Sequence, residues 1–494
     1  MNNFKLNTNR NTQTDPLMNF LNSTPQFKLY KEHNCESELF YVGVFDQPVA
    51  SIFHLLDSGK IPKNLKGNFA FFFKNKKRVV FAVDHACTYN MHWNHNTVSH
   101  IFNSLRFEGE ELNPLIVRQR QIFYGTAVGN DTVVKNIRRL EPGTFFEKNL
   151  VTGEEKIDYY IDLFNHKIDP RLTLNDLSGI FETVIEEQTR TPFSLLWSSG
   201  TDSNCVYGFI RKLKRTEQCT LLSLYSDVSA SDERPQIEEL ENTYNVKTNY
   251  YKLGLYQGIT DEIKSIIQNP NTDPQFIKNY YRYWRGAMWE PSIFSKYKAM
   301  YDLNLTGQPM LTGEPGDVIF GNFHTKNILN TIIQRPHTTI RELAEIFVCG
   351  DMWLQRRKAW RYGKSFEKFL QSSQLNSKSW DVAVDWIINH FPDLKNSEDI
   401  INSLDAMYYQ YKVSKLVYGY SQFEDVEFRH PFLDYRVYFA MLSIPGIWKM
   451  KNWKIRQISR EIIKDYVDPR PWTEWPKCGI ELSFVPISRN VEEK

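Results

Sequence analysis

The sequence lacks the features that mark several common classes of protein. Its six cysteines include no Cys-x-x-Cys pair, which argues against a zinc knuckle and a disulfide framework. No apolar run approaches the roughly 18 residues that a membrane-spanning helix needs. Sixty Lys and Arg residues against 58 Asp and Glu residues leave a formal charge of +2, so no overall field favours nucleic acid. The first 15 residues lack the apolar core of a signal peptide. We therefore expect a cytoplasmic protein with no membrane partner and no clear nucleic-acid partner.

The pattern of apolar segments changes about one third of the way along the 494 residues. Short segments rich in aromatic and β-branched residues predict an antiparallel sheet up to about residue 165, with strands at 39–45, 68–73, 78–83 and 144–146. Beyond residue 170, apolar strands alternate with amphipathic helices, which is typical of parallel βαβ units. The turn signal Asp169-Pro170 lies between the two patterns. We therefore predict two domains, at 1–168 and 169–494.

The clearest βαβ unit begins after that turn. It comprises a buried strand at 193–197, a polar turn at 198–203 and a helix at 204–214. Further strands are predicted at 221–225 and 247–251, with a helix between them that begins in a capping box at 229–232 and runs through Leu240. A helix at 276–288 is expected to end at Pro291, and the chain beyond residue 338 is expected to be mostly helical.

The turn at 198–203 has the sequence Ser-Ser-Gly-Thr-Asp-Ser. Between a strand and a helix, such a turn presents backbone N–H groups, hydroxyls and a helix N-terminus at one point, which is a site for an anion such as phosphate. Small polar residues also make capped turns of this kind without any ligand. Both interpretations stay open on the turn alone.

Further segments give this turn a family context. It is similar to the Ser-Gly-Gly-x-Asp-Ser pyrophosphatase loop of enzymes that cleave ATP between the α and β phosphates, with Ser199 replacing one glycine. Residues 311–321 resemble the Ser-Gly-Glu-Gly-x-Asp-Glu-Leu-Phe-Gly loop of asparagine synthetases. Residues 427–434 and 476–480 resemble the Glu-x-Arg-x-Pro-Phe-Leu-Asp segment and the late lysine loop of that family. Residues 67–72 and 137–143 resemble parts of its glutamine amidotransferase domain, so the resemblance spans about residues 38–485.

The resemblance implies a fold for each half of the chain. The N-terminal half is expected to be α+β, an Ntn-hydrolase-like αββα sandwich of the class II glutamine amidotransferase type. The C-terminal half is expected to be α/β, an adenine-nucleotide α-hydrolase-like domain with a parallel sheet and a pyrophosphatase loop.

One departure from the family concerns glutamine. The family's glutaminase uses a cysteine exposed by removal of Met1, and that position holds Asn2 here. Asp84 is preceded by Val83 rather than arginine, and the Asn-Gly-Glu-x-Tyr-Asn segment that binds glutamine is absent. We therefore expect no glutaminase activity. Relatives without this cysteine include β-lactam synthetases, carbapenam synthetases and lasso-peptide cyclases, which use an amine of the substrate as the nucleophile.

The resemblance also implies roles for individual residues. Glu314 is the expected base that deprotonates the attacking nitrogen, and Lys477 is the expected cation that stabilises developing negative charge. Asp202 and Asp317 are expected to hold Mg²⁺, which prefers hard oxygen ligands. The residues expected to cradle the pyrophosphate are Ser198, Gly200 and Ser203, beside the Mg²⁺ ligand Asp202. Those expected to contact the nucleotide are Leu196, Leu224, Thr312 and Gly313.

These roles predict an ATP-dependent, AMP-forming amide ligase that adenylates a small-molecule or peptide carboxylate and transfers it to ammonia or an amine. A cyclase or ligase acting on a peptide, a nucleotide or another specialised substrate, and a non-catalytic scaffold, are the alternatives. The sequence does not determine the oligomeric state, and a homodimer is compatible with it. A basic run containing Lys449, Arg456 and Arg460 is interpreted as a solvated helix face, with binding of an acidic partner as the alternative.

Overall fold

The computed structural model describes residues 19–20, 27–33, 35–100, 102–105, 111, 113, 116, 129–163, 168–225, 232–252, 291–321, 341, 385, 388, 413, 420, 423, 425–451 and 454–475. Within these residues, no helix combines the length and the apolar character needed to cross a membrane. The predicted helix at 276–288 and the loop at 476–480 with Lys477 lie outside the described residues, as does most of the chain beyond residue 338.

The described residues of the N-terminal half include two sheets and the helix α1. The larger sheet has six antiparallel strands in the order β10-β9-β5-β4-β3-β2, and the smaller sheet has the order β1-β7-β6-β8. The bounds are β1 (Asn19–Phe20), β2 (Lys28–Tyr30), β3 (Glu38–Phe45), α1 (Val49–Asp57), β4 (Gly67–Lys74), β5 (Arg78–Val83), β6 (His92–Trp93), β7 (Thr97–Ser99), β8 (Arg138–Arg139), β9 (Thr144–Asn149) and β10 (Glu155–Tyr159). The predicted antiparallel strands at 39–45, 68–73, 78–83 and 144–146 all lie within β3, β4, β5 and β9.

Alternate residues of β4 serve opposite faces of the larger sheet. Phe69, Phe71 and Phe73 belong to a core that includes the buried face of α1, as expected from the period-two geometry of a strand. Ala70 and Phe72 lie in a second core together with Trp93 of the smaller sheet. The half is therefore layered as helix, sheet and sheet, and the full αββα sandwich stays a prediction.

The C-terminal half is built on a five-stranded sheet of parallel strands in the order β13-β12-β11-β14-β15. It is thus a mixed α/β structure with a parallel sheet, as predicted. The bounds are α2 (Leu174–Gln188), β11 (Phe193–Leu196), α3 (Thr201–Lys212), β12 (Cys219–Tyr225), α4 (Arg234–Tyr244), β13 (Thr248–Lys252), α5 (Pro291–Asp302), β14 (Met310–Thr312), α6 (Gly316–Ile319), β15 (Phe428–Arg429), α7 (Tyr435–Ser443), β16 (Met450–Lys451), β17 (Lys454–Ile455), α8 (Gln457–Glu461) and α9 (Arg470–Thr473). Short 3₁₀ helices lie at Phe102–Leu105, Thr216–Gln218, Pro431–Leu433 and Gly446–Lys449.

Two local predictions differ from the structure, and a third is not tested by it. Helix α3 begins at Thr201 rather than at residue 204, because the turn at 198–200 is shorter than its polar composition suggests. Helix α4 begins at Arg234 with no side-chain cap, so the predicted capping box does not start it, and its Ser229 lies outside the described residues. Pro291 is the first described residue of α5, and the predicted helix at 276–288 that it was expected to end lies outside the described residues.

The two halves are joined by direct contacts. The Asn68 side chain donates hydrogen bonds to the Leu433 carbonyl at 2.9 Å and to Thr88 Oγ1 at 3.0 Å, and its Oδ1 accepts one from the Tyr435 N–H at 3.1 Å. One hydrophobic cluster includes buried residues from both sides of residue 168, among them Leu39 and Phe181. The division into domains at 1–168 and 169–494 stays a prediction.

Candidate active site

Two loops meet at the carboxyl edge of the parallel sheet. The loop at 198–200 follows β11, and the loop at 313–315 follows β14, its neighbour in the sheet. Strand β12 lies on the other side of β11. The strand order therefore reverses at β11, with β12 and β13 on one side and β14 and β15 on the other. Parallel sheets bind ligands at the carboxyl ends of strands where the strand order reverses in this way.

The first loop is organised around hydroxyl groups. Ser198 Oγ and Ser203 Oγ are 2.9 Å apart, and the Gly200 N–H donates to Ser198 Oγ at 3.2 Å. The Asn204 amide donates to the carbonyl oxygens of Ser198 and Gly200, at 2.9 and 2.8 Å. These contacts hold the predicted cradle residues together at the start of α3, where a helix favours anions.

A buried carboxylate from a later segment accepts a hydrogen bond from the same loop. The Ser199 N–H donates to Glu233 Oε2 at 2.9 Å, and Glu233 is 9% exposed. Burial raises the pKa of Glu233, although the hydrogen bonds with Ser199 act in the opposite direction. Glu233 thus joins the site as a residue that no sequence motif indicated.

The second loop packs against the first at two glycines. A Cβ on Gly313 would lie 2.5 Å from the backbone nitrogen of Ser203, and a Cβ on Gly316 would lie 2.6 Å from the carboxyl carbon of Asp202. Only a residue without a side chain fits such an approach. The packing brings Asp202 next to Gly316, the residue that precedes Asp317.

Asp202 is also held by an arginine from a distant segment. Arg456 Nη1 lies 3.1 Å from Asp202 Oδ2 and donates to Thr201 Oγ1 at 3.2 Å. Arg456 and Lys449 are 8% and 1% exposed, and the strands β16 and β17 between them pair in antiparallel fashion. The prediction of a solvated helix face for this basic run is therefore wrong for these residues, because two of its cations are buried against the core.

Glu314 lies in a hydrogen-bonded triangle. Lys296 Nζ donates to Glu314 Oε1 at 2.6 Å and to the Tyr420 hydroxyl at 2.7 Å, and that hydroxyl donates to Glu314 Oε2. Lys296 and Tyr420 are 7% and 4% exposed, whereas the Glu314 side chain keeps about a third of its surface exposed. The carboxylate is thus held by two buried groups, while part of the side chain that carries it stays exposed.

Electrostatics keep this carboxylate ionised. Burial alone would raise the pKa of Glu314, but the positive charge of Lys296 and the hydrogen bonds from Lys296 and Tyr420 outweigh it, so the pKa is lowered from 4.5. His430 lies beside this group, with its ring 4.7 Å from the Tyr420 ring and its Nδ1 2.7 Å from Thr312 Oγ1. Burial lowers the pKa of His430 to about 4, so it is neutral at pH 7.

The residues expected to contact a nucleotide lie at the same edge of the sheet. Thr312 ends β14, is fully buried, and accepts a hydrogen bond from the Glu314 N–H at 3.3 Å. Leu196 ends β11, and Leu224 lies near the end of β12. Both leucines belong to a hydrophobic cluster that also contains Ile293 of α5.

The structure therefore groups all the described site candidates around two adjacent loops. Lys477 is the one candidate outside the described residues. Glu233, Lys296 and Tyr420 were not predicted from the sequence, and Arg456 was predicted only as a member of a solvated basic run. The available signal for Lys296 was a lysine within the apolar stretch of α5, among Phe294, Tyr297 and Met300.

The sequence matches a known protein family. The model of a family described as asparagine synthase matches residues 182–490. No curated protein matches the chain.

Two solved structures show a limited likeness. The NH3-dependent NAD synthetase from Campylobacter jejuni subsp. jejuni NCTC 11168, in complex with the nitrate ion, is 12% identical with a TM-score of 0.22, covering 46% of this chain and 100% of its own. The glutamine phosphoribosylpyrophosphate amidotransferase from B. subtilis, complexed with ADP and GMP, is 11% identical with a TM-score of 0.16, covering 50% of this chain and 76% of its own. Both TM-scores are too low to bear on function, so only the family match does.

Proposed function

Because the chain belongs to the asparagine synthase family, we propose that it activates a carboxylate as an acyl adenylate and transfers the acyl group to ammonia or an amine. Family membership supports an ATP-dependent ligase that forms a carbon–nitrogen bond. The formation of an acyl adenylate is the more specific part of the proposal. An amine cannot usefully attack an unactivated carboxylate, because oxide is too poor a leaving group. Attack of the carboxylate on the α phosphorus of ATP releases pyrophosphate, and attack of the nitrogen on the acyl carbon then releases AMP.

The observation that carries this proposal is the meeting of the 198–203 and 313–317 segments at one edge of the parallel sheet. The first segment has the hydroxyls, N–H groups and helix start that suit a pyrophosphate group. In this role Ser198, Gly200 and Ser203 bind the pyrophosphate. Thr312, Gly313, Leu196 and Leu224 would border the nucleotide.

The residues present fit a magnesium ion. Among the described residues no group of three or more His, Cys, Asp or Glu side chains gathers as a metal cluster. Mg²⁺ in nucleotide sites is commonly held by one or two carboxylates together with substrate phosphates. Asp202 packs against Gly316, which adjoins Asp317 in sequence, and these two carboxylates are the proposed protein ligands. The ion would neutralise phosphate charge, while the loop hydroxyls and N–H groups orient the substrate.

Glu314 is the proposed base of the second step. Its carboxylate is ionised at neutral pH and its side chain is partly exposed, while Lys296 and Tyr420 fix its orientation. It accepts a proton from the attacking nitrogen as that nitrogen acquires positive charge. Lys477, the proposed cation at the developing negative charge, would complete the site.

We also propose that glutamine is not the nitrogen source. The position after Met1 at which the family has its nucleophilic cysteine holds Asn2, and an asparagine side chain does not supply the thiol that attacks a glutamine amide. The N-terminal part, residues 1–168, is then an Ntn-type domain without glutaminase activity. Residues 169–494 form the synthetase part, with an adenine-nucleotide α-hydrolase-like arrangement.

The test is ATP–pyrophosphate exchange with Mg²⁺ across a panel of carboxylates that begins with aspartate. We expect exchange with one compound, its loss in Asp202→Asn, and its retention in the control Asp169→Asn, whose carboxylate pairs with the exposed Arg171. Exchange with no small acid, despite binding of MgATP, would point to a macromolecular carboxylate. Absence of MgATP binding would contradict the enzymatic proposal.

A further inference from the structure

Residues 198–203 form a phosphate-type loop whose first three N–H groups all donate to acceptors of the chain itself. The N–H groups of Ser198 and Gly200 donate to serine hydroxyl oxygens of the loop, each at 3.2 Å. The Ser199 N–H donates instead to Glu233 Oε2 at 2.9 Å. A hydroxyl can rotate and donate to a ligand, whereas an ionised carboxylate only accepts. Glu233 is therefore the one acceptor of these three that carries charge.

The charge of Glu233 has no cation beside it in the part of the chain that the structure describes. No described lysine, arginine or histidine forms an ion pair with this carboxylate, and the adjacent Arg234 pairs with Asp232 at 2.6 Å. Glu233 is nevertheless buried. A buried carboxylate without a counter-ion is costly, so its charge acts strongly on whatever ion approaches the loop.

The loop holds a second carboxylate, which differs in this respect. Asp202 is paired with Arg456, whose Nη1 lies 3.1 Å from Asp202 Oδ2. Its charge is thus offset within the chain, whereas that of Glu233 is not. Like charges repel strongly where water and salt screen them poorly, as beside a buried loop. A metal ion bound to a pyrophosphate group offsets much of the charge of that group and so weakens the repulsion.

From these contacts, and on the premise of the proposed function, we propose that Glu233 makes the phosphate-type loop selective for pyrophosphate groups that carry a metal ion. The hydrogen bond that it accepts from Ser199 preserves the shape of the loop, and its charge repels a pyrophosphate group without a cation. The nucleotide then binds as its metal complex. Glu233 acts through the loop and its charge, so it is a specificity residue rather than a catalytic one.

The experiment titrates the full chain by calorimetry in mildly alkaline buffer, where Glu233 is ionised. The two probes are pyrophosphate with a chelator that removes divalent metal ions, and pyrophosphate with equimolar Mg²⁺. Glu233→Gln removes the charge but preserves an oxygen that can accept from the Ser199 N–H. Glu233→Ala removes both the charge and the acceptor. The control is Glu238→Gln, which removes a charge from an exposed position of the adjacent helix α4.

We expect the wild type to bind the magnesium complex at least about tenfold more tightly than metal-free pyrophosphate. Glu233→Gln should bind metal-free pyrophosphate at least about tenfold more tightly than the wild type does, and the magnesium complex about equally well, so that most of the selectivity is lost. Glu233→Ala should lose the same selectivity, with weaker binding of both probes than in Glu233→Gln because the loop also loses a hydrogen bond. Glu238→Gln should change neither constant.

A purely structural role of Glu233 predicts a different pattern. Glu233→Gln would then bind both probes as the wild type does, and Glu233→Ala would lose affinity for both in equal proportion. That pattern, or weaker binding of metal-free pyrophosphate by Glu233→Gln, would overturn the selectivity role while leaving the proposed function standing. Failure of both Glu233 variants to fold would assign this residue to the structure alone and overturn the inference. A wild-type chain that binds neither MgATP nor either form of pyrophosphate would overturn the proposed function and this inference together.

Discussion

The side chain of Lys296 contacts that of Glu314, with the lysine Nζ 2.6 Å from Oε1 of the carboxylate. The lysine belongs to helix α5, whereas the glutamate follows strand β14, so the pair joins two elements that converge on the carboxyl edge of the sheet. Tyr420 contacts both groups. An ionised carboxylate with a buried cation behind it is well oriented but is a weaker base than a free one.

Replacing Lys296 by Met should raise the pKa of Glu314. Burial is the largest influence on this carboxyl group and raises its pKa, and the lysine is the main influence that lowers it. The wild-type pKa lies below 4.5, and a base acts only when deprotonated, so the rate should fall only as the pH drops below that value. In Lys296→Met the acid limb of the pH–rate profile for amide formation should move to a higher pH.

Two companion variants separate this effect from lost stability. Lys296→Arg preserves the charge and should return the acid limb towards its wild-type position. Lys298→Met removes an equally buried lysine on the same helix, whose ammonium contacts Tyr251 instead. An equal shift in Lys298→Met, or none in Lys296→Met, would contradict the assignment.

Glu314→Gln should separate the two half-reactions. ATP–pyrophosphate exchange reports formation of the acyl adenylate, for which this carboxylate is not the base, so exchange should stay within a few-fold of wild type. Amide formation should fall by about 10² to 10⁴, the usual contribution of a general base. The control is Glu427→Gln, an exposed glutamate paired with Arg429. Equal losses in both half-reactions would instead indicate that Glu314 positions the carboxylate substrate or the loop.

Local sequence patterns predicted much of the scaffold. Strand β11, the polar turn after it and the buried Val206, Phe209 and Ile210 of α3 follow from an apolar block, small polar residues and helical spacing. These features depend on neighbours in sequence. The same is true of β5, whose predicted and observed bounds agree at Arg78–Val83.

The partners of the site residues could not be predicted in the same way. Lys296 precedes Glu314 by 18 residues, and Tyr420 follows it by 106, so their meeting depends on tertiary packing. Arg456 is one cation in a basic run, and composition does not determine which member of such a run is buried. The burial of Arg456 depends on its left-handed backbone and on the hydrogen bonds of its N–H to Phe320 and Lys449.

Asn68→Ala should destabilise the contact between the two halves. The side chain makes three hydrogen bonds, two of them to backbone groups of Leu433 and Tyr435. At a net value of roughly 1 kcal/mol each, their loss should lower the free energy of unfolding by about 2–3 kcal/mol. Urea denaturation followed by tryptophan fluorescence measures this change. Asn96→Ala, at an exposed turn, should have little effect, and equal stability of the two variants would contradict a bridging role for Asn68.

Gly313→Ala should disrupt the phosphate-type loop. The added methyl group would lie 2.5 Å from the Ser203 nitrogen and 2.6 Å from the Asp202 carbonyl carbon, both backbone atoms that cannot rotate away. The two loops must therefore separate, which displaces Asp202 from Gly316. We expect MgATP affinity, measured by calorimetry, to fall by at least about tenfold, because the affected groups include those that bind the phosphates and the metal ion.

The matched control for this substitution is Gly179→Ala. Gly179 lies within helix α2, and a methyl group there would meet no atom within 4 Å. Alanine is favoured over glycine inside a helix by about 1 kcal/mol, so this variant should be slightly more stable and bind MgATP as the wild type does. If Gly313→Ala also bound MgATP normally, the close approach of the two loops would not be needed for nucleotide binding. The site would then have to lie elsewhere on the sheet edge.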